Sequence, residues 1–383
     1  MAQWEPTRAA GLARAAAFAP NMGRAYAARR NYDSGAQPDT VSALSPWVRR
    51  RLIAERELLE MARAAHGPDA AKFVSEVLWR GYFKGWLEQR PEIWERTVAG
   101  LDAARSAVAQ DAALAQRLAA AIEGRTGIDC VDAWIAQLRA EGWLHNHARM
   151  WFASIWIFTL RLPWELGADL FLRALVDGDA ASNTLSWRWV AGLHTRGKHY
   201  LARAENIRRY TDGRFDPQGL DEEAEPLPYD GDAPLTPPAP GNAMPAGRYA
   251  LVIHADDTGY DALELPPPAQ VIGVTAHGLA DASAAARSFA EGAVADAAAR
   301  AGAAFGCPVA LVAAWPEPGD LPLVAPWPTV GPLRDSLPDG YPLAQLRNPY
   351  DAALWPLATA GFFKVKSRAA GALAPLGIAL PEL

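Results

Sequence analysis

Apolar residues recur along the first half of the chain at the spacing of α-helices. Residues 40–60, 69–89 and 128–160 each carry apolar side chains three or four positions apart, so that these side chains share one helical face. No strand-like alternation of apolar and polar residues stands out before Leu201. We therefore predict that residues 1–217 form an all-helical domain.

The pattern changes after this helical part. Residues 218–246 are acidic, contain seven prolines and show no periodicity, which predicts a linker. Beyond it, residues 248–254, 271–275 and 309–314 are short apolar runs bounded by Gly, Pro and Asp, as buried strands are. The alanine-rich residues 280–305 and a segment near residues 350–369 favour helices. Alternating strands and helices predict a small α/β domain over residues 247–383, with a largely parallel sheet and an unknown role.

Cysteine content and hydropathy limit where the protein acts. Cys130 and Cys307 are the two cysteines of the chain, which favours a reducing, cytoplasmic location and excludes an iron–sulfur cluster held by four cysteines of this chain. The longest apolar run, residues 151–160, is much shorter than the roughly 18 residues of a membrane span. We expect no membrane partner.

Charge is distributed unevenly along the chain. Up to Pro217 there are 29 Lys and Arg against 24 Asp and Glu, a net charge of +5, and the remainder has 8 against 19, a net charge of −11. The whole chain therefore carries −6. The arginine-rich first part suits a phosphate-binding surface, although a small arginine excess is also common in helical domains.

Ser42 and Ser45 stand just before a predicted helix. A helix start offers free backbone N–H groups, so these hydroxyls could belong to an anion site or simply cap the helix. Further on, Glu76, Trp79 and Arg80 lie within one helical turn and share one side of a helix. The alternative for this group is an ion pair between Glu76 and Arg80 on a solvated face, with Trp79 in the core.

A third polar group combines Asn146 and Arg149, one helical turn apart, with the segment Asp177-Gly178-Asp179. A buried amide and guanidinium need polar partners, because burying them unpaired is costly. The Asp-Gly-Asp sequence could form a turn or a calcium loop. An EF-hand needs glutamate at its twelfth position, which here is Arg188, so a calcium loop is excluded and no metal site is predicted.

Together these motifs resemble the FAD-binding helical half of the photolyase/cryptochrome family, from about Tyr26 to Trp189. The resemblance implies an all-α FAD-binding domain of photolyase type followed by the small α/β domain. Family members usually carry an N-terminal α/β antenna domain, and this chain starts almost at the helical half. We therefore expect a short member of the family without that domain. The sequence does not identify an antenna chromophore.

The resemblance assigns FAD as the cofactor. It implies a diphosphate contact at the element Val41-Ser42-Ala43-Leu44-Ser45-Pro46, where Val41 replaces the usual threonine, and it places Arg149 beside the flavin ring, paired with Asp177. Tyr32 is an alternative to Tyr26 as the upstream tyrosine. The implied cofactor-binding residues are Tyr26, Ser42, Leu44, Ser45, Arg80, Asn146, Arg149, Asp177, Asp179 and Asn183.

Catalytic, substrate and electron-transfer roles also follow from the resemblance. Glu76, Asn146 and Asn183 are implied to be catalytic, with Asn183 facing flavin N5, while Gly81 replaces an acidic residue. Trp187 and Trp164 match the first two tryptophans of the electron-transfer chain, and the third is open among Trp134, Trp151 and Trp156. The implied pyrimidine-dimer contacts are Glu76, Trp79, Met150 and Trp189, together with Asn146.

The implied activity is repair of cyclobutane pyrimidine dimers in DNA, by blue-light-driven electron transfer from reduced FAD to a flipped-out or single-stranded substrate. The (6-4) photolyases carry a histidine pair where this chain has His145-Asn146, which disfavours that branch. His145 and His147 are predicted to be packing or surface residues. Two alternatives remain: a cryptochrome-like photoreceptor that signals to a protein partner through its C-terminal domain, and a flavoprotein without photochemistry.

Overall fold

The computed structural model describes residues 4–35, 40–276 and 278–380 and divides the chain into two compact units. Unit 1 comprises Met1–Ala27, Leu44–Arg90 and Leu235–Leu383, and unit 2 comprises Ala28–Ala43 and Pro91–Pro234. Within the described ranges, no helix combines the length and apolarity that a membrane crossing requires.

Helices dominate the chain up to residue 210. As far as Arg90 they are α1 (Arg8–Phe18), α2 (Arg24–Arg29), α3 (Ser45–Arg49), α4 (Glu55–His66) and α5 (Ala71–Glu88). In unit 2 they are α6 (Pro91–Gln110), α7 (Ala112–Glu123), α8 (Asp129–Glu141), α9 (Asn146–Ser154), α10 (Trp164–Ala174), α11 (Ala180–Ala191) and α12 (Ala204–Tyr210). The predicted helical character of this part is confirmed.

Two of the predicted helical segments are interrupted, so their prediction as continuous periodic stretches was wrong. Residues 40–60 contain α3 and α4, separated by a turn in which Arg51 has a φ of 54°. Residues 128–160 contain α8 and α9, because Gly142 adopts the left-handed conformation that ends α8. A π-helical turn, Ile155–Thr159, follows α9.

The core of unit 2 is rich in tryptophan. Trp134, Trp151, Trp156 and Trp187 are almost fully buried, and truncating a single such side chain typically costs about 3–5 kcal/mol of stability. Gly167 allows α10 to approach this cluster, because an added Cβ there would lie 2.2 Å from Cη2 of Trp187. Close packing around these indoles therefore holds the helices of unit 2 together.

The C-terminal part of unit 1 contains the predicted parallel sheet. Five strands are hydrogen-bonded in the order β3-β2-β1-β4-β5, and all pairs are parallel. The strands are β1 (Ala250–His254), β2 (Gln270–Val274), β3 (Val309–Val312), β4 (Leu323–Pro326) and β5 (Leu343–Leu346). Every residue of β1 is buried, which matches its continuous apolar sequence. The predictions missed β4 and β5, which are four residues long.

The helices of this part are α13 (Ala284–Phe305), α14 (Pro332–Asp335), α15 (Pro349–Leu354) and α16 (Phe362–Leu373). The prediction of one helix near residues 350–369 was wrong, because α15 gives way to a 3-10 turn that contains Pro356 and α16 begins after Gly361. Pro disrupts a helix by removing a backbone donor and clashing with the preceding turn.

The two units cut across the predicted domain boundaries of 1–217, 218–246 and 247–383. Helices α1, α3, α4 and α5 cluster with the sheet. Buried ion pairs accompany this arrangement: Arg51 contacts Glu55, Asp257 and Asp351 at 3.0, 2.5 and 2.6 Å. Such charges, distant in sequence, have no local signature from which the boundary could have been predicted.

The structure describes all of residues 218–246, and this range contains no helix or strand. The part of this segment that lies in unit 2 is nevertheless held against the helices of that unit. Arg188 donates two hydrogen bonds to the carboxylate of Asp230, at 2.7 and 2.8 Å, and Arg96 donates to the backbone carbonyl groups of residues 230–232. The first half of the proline-rich segment is therefore fixed to the helices by arginines.

Candidate functional site

A partly buried ion pair lies at the centre of the predicted polar group in unit 2. Nη2 of Arg149 on α9 lies 2.8 Å from Oδ2 of Asp177, and Nε of Arg149 donates to the carbonyl of Leu144 at 2.9 Å. The Asp177 side chain is 2% exposed. Its second oxygen, Oδ1, is buried and has no hydrogen-bond partner among the described residues. A buried acceptor without a donor is costly, so this oxygen is suited to a ligand N–H or O–H group.

The residues that follow Asp177 are positioned by the start of α11. Asp179 is the N-cap of α11, and its Oδ2 accepts from the backbone N–H of Ser182 at 2.9 Å. Asn183 lies one turn further on, where its Nδ2 donates to the carbonyl of Ala168 at 2.8 Å. This bond orients the Asn183 amide and leaves its carbonyl oxygen without a hydrogen-bond partner in the described chain. Asp179 thus has a structural role beside any contact with a cofactor.

Two predicted substrate residues lie on the outer side of α9. Asn146 is the first residue of the helix and is exposed, and Met150, one turn later, is half-buried. The third, Trp189 on α11, is also half-buried and stacks on Tyr200, with ring centroids 5.6 Å apart and planes 24° apart. Asn146 and Met150 are therefore neighbours on one helix, while Trp189 already has an aromatic partner.

The tryptophans predicted to transfer electrons are buried in unit 2. Trp187 contacts Trp156 edge-on, with 6.3 Å between their ring centroids, and Trp156 donates to the carbonyl of Pro163 next to Trp164. Among the three open candidates, Trp156 therefore contacts Trp187 directly, whereas Trp134 and Trp151 stack on each other at 5.8 Å. Beside Trp164 lies an open cavity of about 820 Å³, also lined by Phe158 and Arg188.

His145 has an electrostatic environment that the sequence did not reveal. It is 1% exposed, caps α9 by accepting from the backbone N–H of His147 at Nδ1, and has no partner for Nε2 among the described residues. Burial lowers its pKa to about 4; the nearby charges of His147 and Arg149 act in the same direction and Asp33 opposes them. The imidazole is therefore neutral near pH 7.

In unit 1, the predicted substrate motif on α5 is engaged by other residues of the unit. Glu76 lies 3.4 Å from Lys72 in an i,i+4 salt bridge. Trp79 stacks face to face on Phe362 of α16, with ring centroids 3.9 Å apart and planes 10° apart. Arg80 donates to Glu55 at 2.9 Å and to the backbone carbonyl of Arg49 at 2.7 Å.

The side chains of α15 pack closely against Gly81. A Cβ added there would lie 3.1 Å from Cδ1 of Leu354 and 3.4 Å from Cε1 of Tyr350. A larger side chain at this position would require Leu354 and Tyr350 to shift by a few tenths of an ångström.

The predicted diphosphate element surrounds the start of α3. Leu44 is its N-cap residue, Ser45 is exposed at the first helical position, and Ser42 is half-buried. Leu44 provides no side-chain hydrogen bond to the start of this helix. The alternative tyrosines differ: Tyr26 packs against Phe73 in unit 1, and Tyr32 against Tyr210 in unit 2.

Part of the helical region is similar to known proteins. Residues 73–220 match the family model of the FAD binding domain of DNA photolyase. The chain is 37% identical over 183 residues to a deoxyribodipyrimidine photo-lyase of Streptomyces griseus, covering 44% of this chain and 39% of that protein. It is 35% identical over 199 residues to a protein of the same name from Thermus thermophilus, covering 51% and 45%.

A cryptochrome structure from Synechocystis sp. PCC6803 aligns with 53% of this chain and 43% of its own, at 23% identity and a TM-score of 0.45. The chain spans less than half the length of the two photo-lyases described above. Residues 73–220 are therefore similar to the FAD binding domain of DNA photolyase.

Proposed function

We propose that this protein binds FAD and uses blue light to repair cyclobutane pyrimidine dimers in DNA. The observation that carries this proposal is the Arg149–Asp177 ion pair with the unpartnered Oδ1 of Asp177, inside the matched residues 73–220. The names of the curated relatives support it, since they are deoxyribodipyrimidine photo-lyases.

The polar groups of unit 2 fit the flavin ring. Oδ1 of Asp177 is an acceptor for a ring N–H, the Asn183 carbonyl is a second acceptor, and the Arg149 guanidinium stabilises negative charge on a reduced ring. Bound in its reduced form, FAD would supply the electron that splits the dimer when it absorbs blue light. Because Asp177 and Asn183 are oriented by protein contacts, these acceptors are in place before the cofactor arrives.

Other residues retain the roles that the family resemblance implies, as predictions. Tyr26, Ser42, Leu44, Ser45, Arg80, Asn146 and Asp179 would hold the cofactor, and Trp187 and Trp164 would return electrons to it. Glu76, Trp79, Asn146, Met150 and Trp189 would contact the dimer. Glu76 is half-buried and forms a surface ion pair with Lys72 through one of its two carboxylate oxygens.

Repair of ultraviolet-irradiated single-stranded DNA tests the proposal. We expect purified protein to bind FAD and, once chemically reduced, to restore dimers to pyrimidines under blue light but not in the dark. Glu76→Gln should slow repair about ten- to a hundredfold without releasing FAD, since it removes a charged hydrogen-bonding group worth about 1.5–3 kcal/mol. Dimer loss is measured by chromatography of the digested DNA.

The possible outcomes separate the alternatives. Bound, photoreducible flavin without repair would favour the photoreceptor, and with it the predicted protein partner of residues 247–383. Protein that binds no flavin would overturn both. A cytoplasmic location stays a prediction that is in keeping with the free thiols of Cys130 and Cys307.

A further inference from the structure

Helix α16 covers the tryptophan that is predicted to stack on the damaged base. Phe362, its first residue, is buried and lies parallel to Trp79 at 3.9 Å, and the edge of Tyr82 contacts the same phenyl ring at 5.8 Å. Phe83 completes this aromatic group, 5.1 Å from Trp79. The arrangement brings α16, which lies outside the matched residues 73–220, next to the predicted substrate motif.

The outer surface of α16 combines an aromatic ring with positive charge. Phe363 is 78% exposed, the largest exposure among the large hydrophobic residues described. Lys364, Lys366 and Arg368 follow it, and residues 352–381 contain no Asp or Glu. Lys366 and Arg368 have no ion-pair partner among the described residues, and Lys364 donates to the hydroxyl of Thr359. This cationic surface stands out in a part of the chain that is otherwise acidic.

We propose that α16 is a contact surface for single-stranded DNA, in which Lys364, Lys366 and Arg368 bind phosphates and Phe363 stacks on a base. The inference rests on the proposed function for the nature of the ligand and extends it to the C-terminal domain. Exposed aromatics and cations on one surface form the usual platform for single strands, because rings stack on bases while cations follow the backbone.

The buried side of α16 argues against a lipid surface as the partner. An amphipathic helix binds a membrane through a continuous apolar face. In α16 the apolar residues Phe362, Val365, Ala369 and Leu373 are buried in unit 1. The outward side offers one phenyl ring, that of Phe363, among charged residues. Charge together with a single stacking ring fits a nucleic-acid strand.

The position of Phe362 adds a specific consequence. A base can stack on the covered face of Trp79 only where Phe362 moves aside, so Phe362 competes with the substrate for that face. Phe363, one residue along, is exposed and ready to bind a neighbouring base. The strand would therefore meet Phe363 and the cationic side chains before it reaches Trp79.

Binding of undamaged oligothymidylate in the dark tests this inference independently of photochemistry. Lys364→Gln, Lys366→Gln and Arg368→Gln together should reduce the slope of log affinity against log salt by about 2, since each phosphate contact on a single strand contributes about 0.7. At low salt we expect affinity to fall at least about tenfold. Phe363→Ala alone should weaken binding about fivefold, as expected for a weak base–aromatic stack.

A matched control separates a local contact from overall charge. Arg63→Gln, Arg248→Gln and Arg287→Gln together remove the same charge from exposed positions of unit 1 and should leave the salt slope within about 0.7 of the wild-type value. Fluorescence anisotropy with a labelled oligonucleotide measures both sets. Thermal unfolding checks that the α16 variants fold. We expect them to fold, because none of the altered residues is among the buried residues of α16.

The outcomes distinguish failure of this inference from failure of the proposed function. Equal losses in the control and α16 variants, or unchanged binding in the latter, would overturn the inference even if repair is observed. DNA binding that depends on α16 without any dimer repair would support it and count against the repair enzyme. If the α16 variants lose binding to phosphatidylserine vesicles but keep DNA binding, the surface is a membrane contact and the inference is wrong.

Discussion

The two groups of predicted site residues differ in what the fold leaves unpaired. In unit 2, the Oδ1 of Asp177, in the turn before α11, and the carbonyl of Asn183 on α11 lack protein partners in the described chain. On α5 of unit 1, Arg80 is bonded to Glu55 and Trp79 is stacked on Phe362. Both groups lie within the same family match, so motif spacing alone does not tell whether a face is open to a ligand.

The ion pairs of the two units also differ. Unit 1 buries a dense network in which Arg51 is surrounded by Glu55, Asp257 and Asp351. Its carboxylates are satisfied by arginine, so the network is a structural element between α4 and the sheet. In unit 2, Arg149 pairs with a single aspartate, Asp177, and the Oδ1 of that carboxylate has no partner among the described residues. We assign the paired network of unit 1 to stability, and the unpaired Oδ1 of Asp177 is suited to a ligand.

The largest expected effect tests the structural network of unit 1. Arg51→Gln leaves Asp257 and Asp351 buried without their cation, while Glu55 keeps its pair with Arg80, and the change should cost about 3–5 kcal/mol of unfolding free energy. Arg56→Gln is the matched control, because its pair with Glu60 is exposed and worth less than about 1 kcal/mol. Urea denaturation measures both variants. Similar losses for the two would contradict the distinction between a buried network and a surface pair.

Asp177→Asn tests the flavin group of unit 2. The substitution removes the negative charge opposite Arg149 and replaces one carboxylate oxygen by an amide, so FAD should bind about ten- to a hundredfold more weakly. Equilibrium dialysis of the flavin measures the change. Glu92→Gln, which breaks a surface pair with Arg96 in the same unit, should not alter FAD binding. Unchanged affinity in Asp177→Asn would mean that this oxygen does not face the cofactor.

A smaller expected effect is the pH dependence of stability that His145 gives to unit 2. The pKa of His145 is about 4 in the folded protein against an ordinary 6.5, so its contribution is complete above pH 6.5 and is lost as pH falls toward 4. Between pH 7 and 5 the loss amounts to about 2 kcal/mol. His145→Asn keeps a capping side chain and should remove this dependence from the thermal unfolding curve.

The ionised groups of unit 1 respond in a different pH range. The pKa of Glu55 is about 2, where Arg51 and Arg80 overcome the effect of burial, so its stabilisation is present above the ordinary pKa of 4.5 and lost as pH falls toward 2. Wild-type stability that is flat from pH 7 to 5, or a His145→Asn variant that keeps the wild-type slope, would refute the assignment to His145.

Much of the fold was predictable because it depends on local pattern. The helical region followed from three-to-four spacing, and β1, β2 and β3 followed from apolar runs bounded by turn residues. β4 and β5 were missed because four residues contain too little pattern to distinguish a strand from a loop. The break between α3 and α4 was missed because Arg51 adopts a positive φ, which its residue type does not signal.

The site was predictable to the extent that its residues lie close together in sequence. Asn146, Arg149 and Met150 share a helix, and the family resemblance identified Asp177 as the partner of Arg149. No residue pattern pointed to the orphaned Oδ1 of Asp177 or to the pKa of His145. Both depend on burial by several elements at once, which a linear pattern does not contain.

By itself, the sequence determined the helical and α/β character of the two parts, the identity of the flavin-type motif residues and the basic, aromatic composition of α16. Only the tertiary structure decided that Phe362 stacks on Trp79, that Arg80 pairs with Glu55, and that Oδ1 of Asp177 has no partner among the described residues. The reason is physical: periodicity and composition express interactions between near neighbours in the chain. Stacking and ion pairing between distant segments depend on where packing brings them, and many partners of similar chemistry compete for each position.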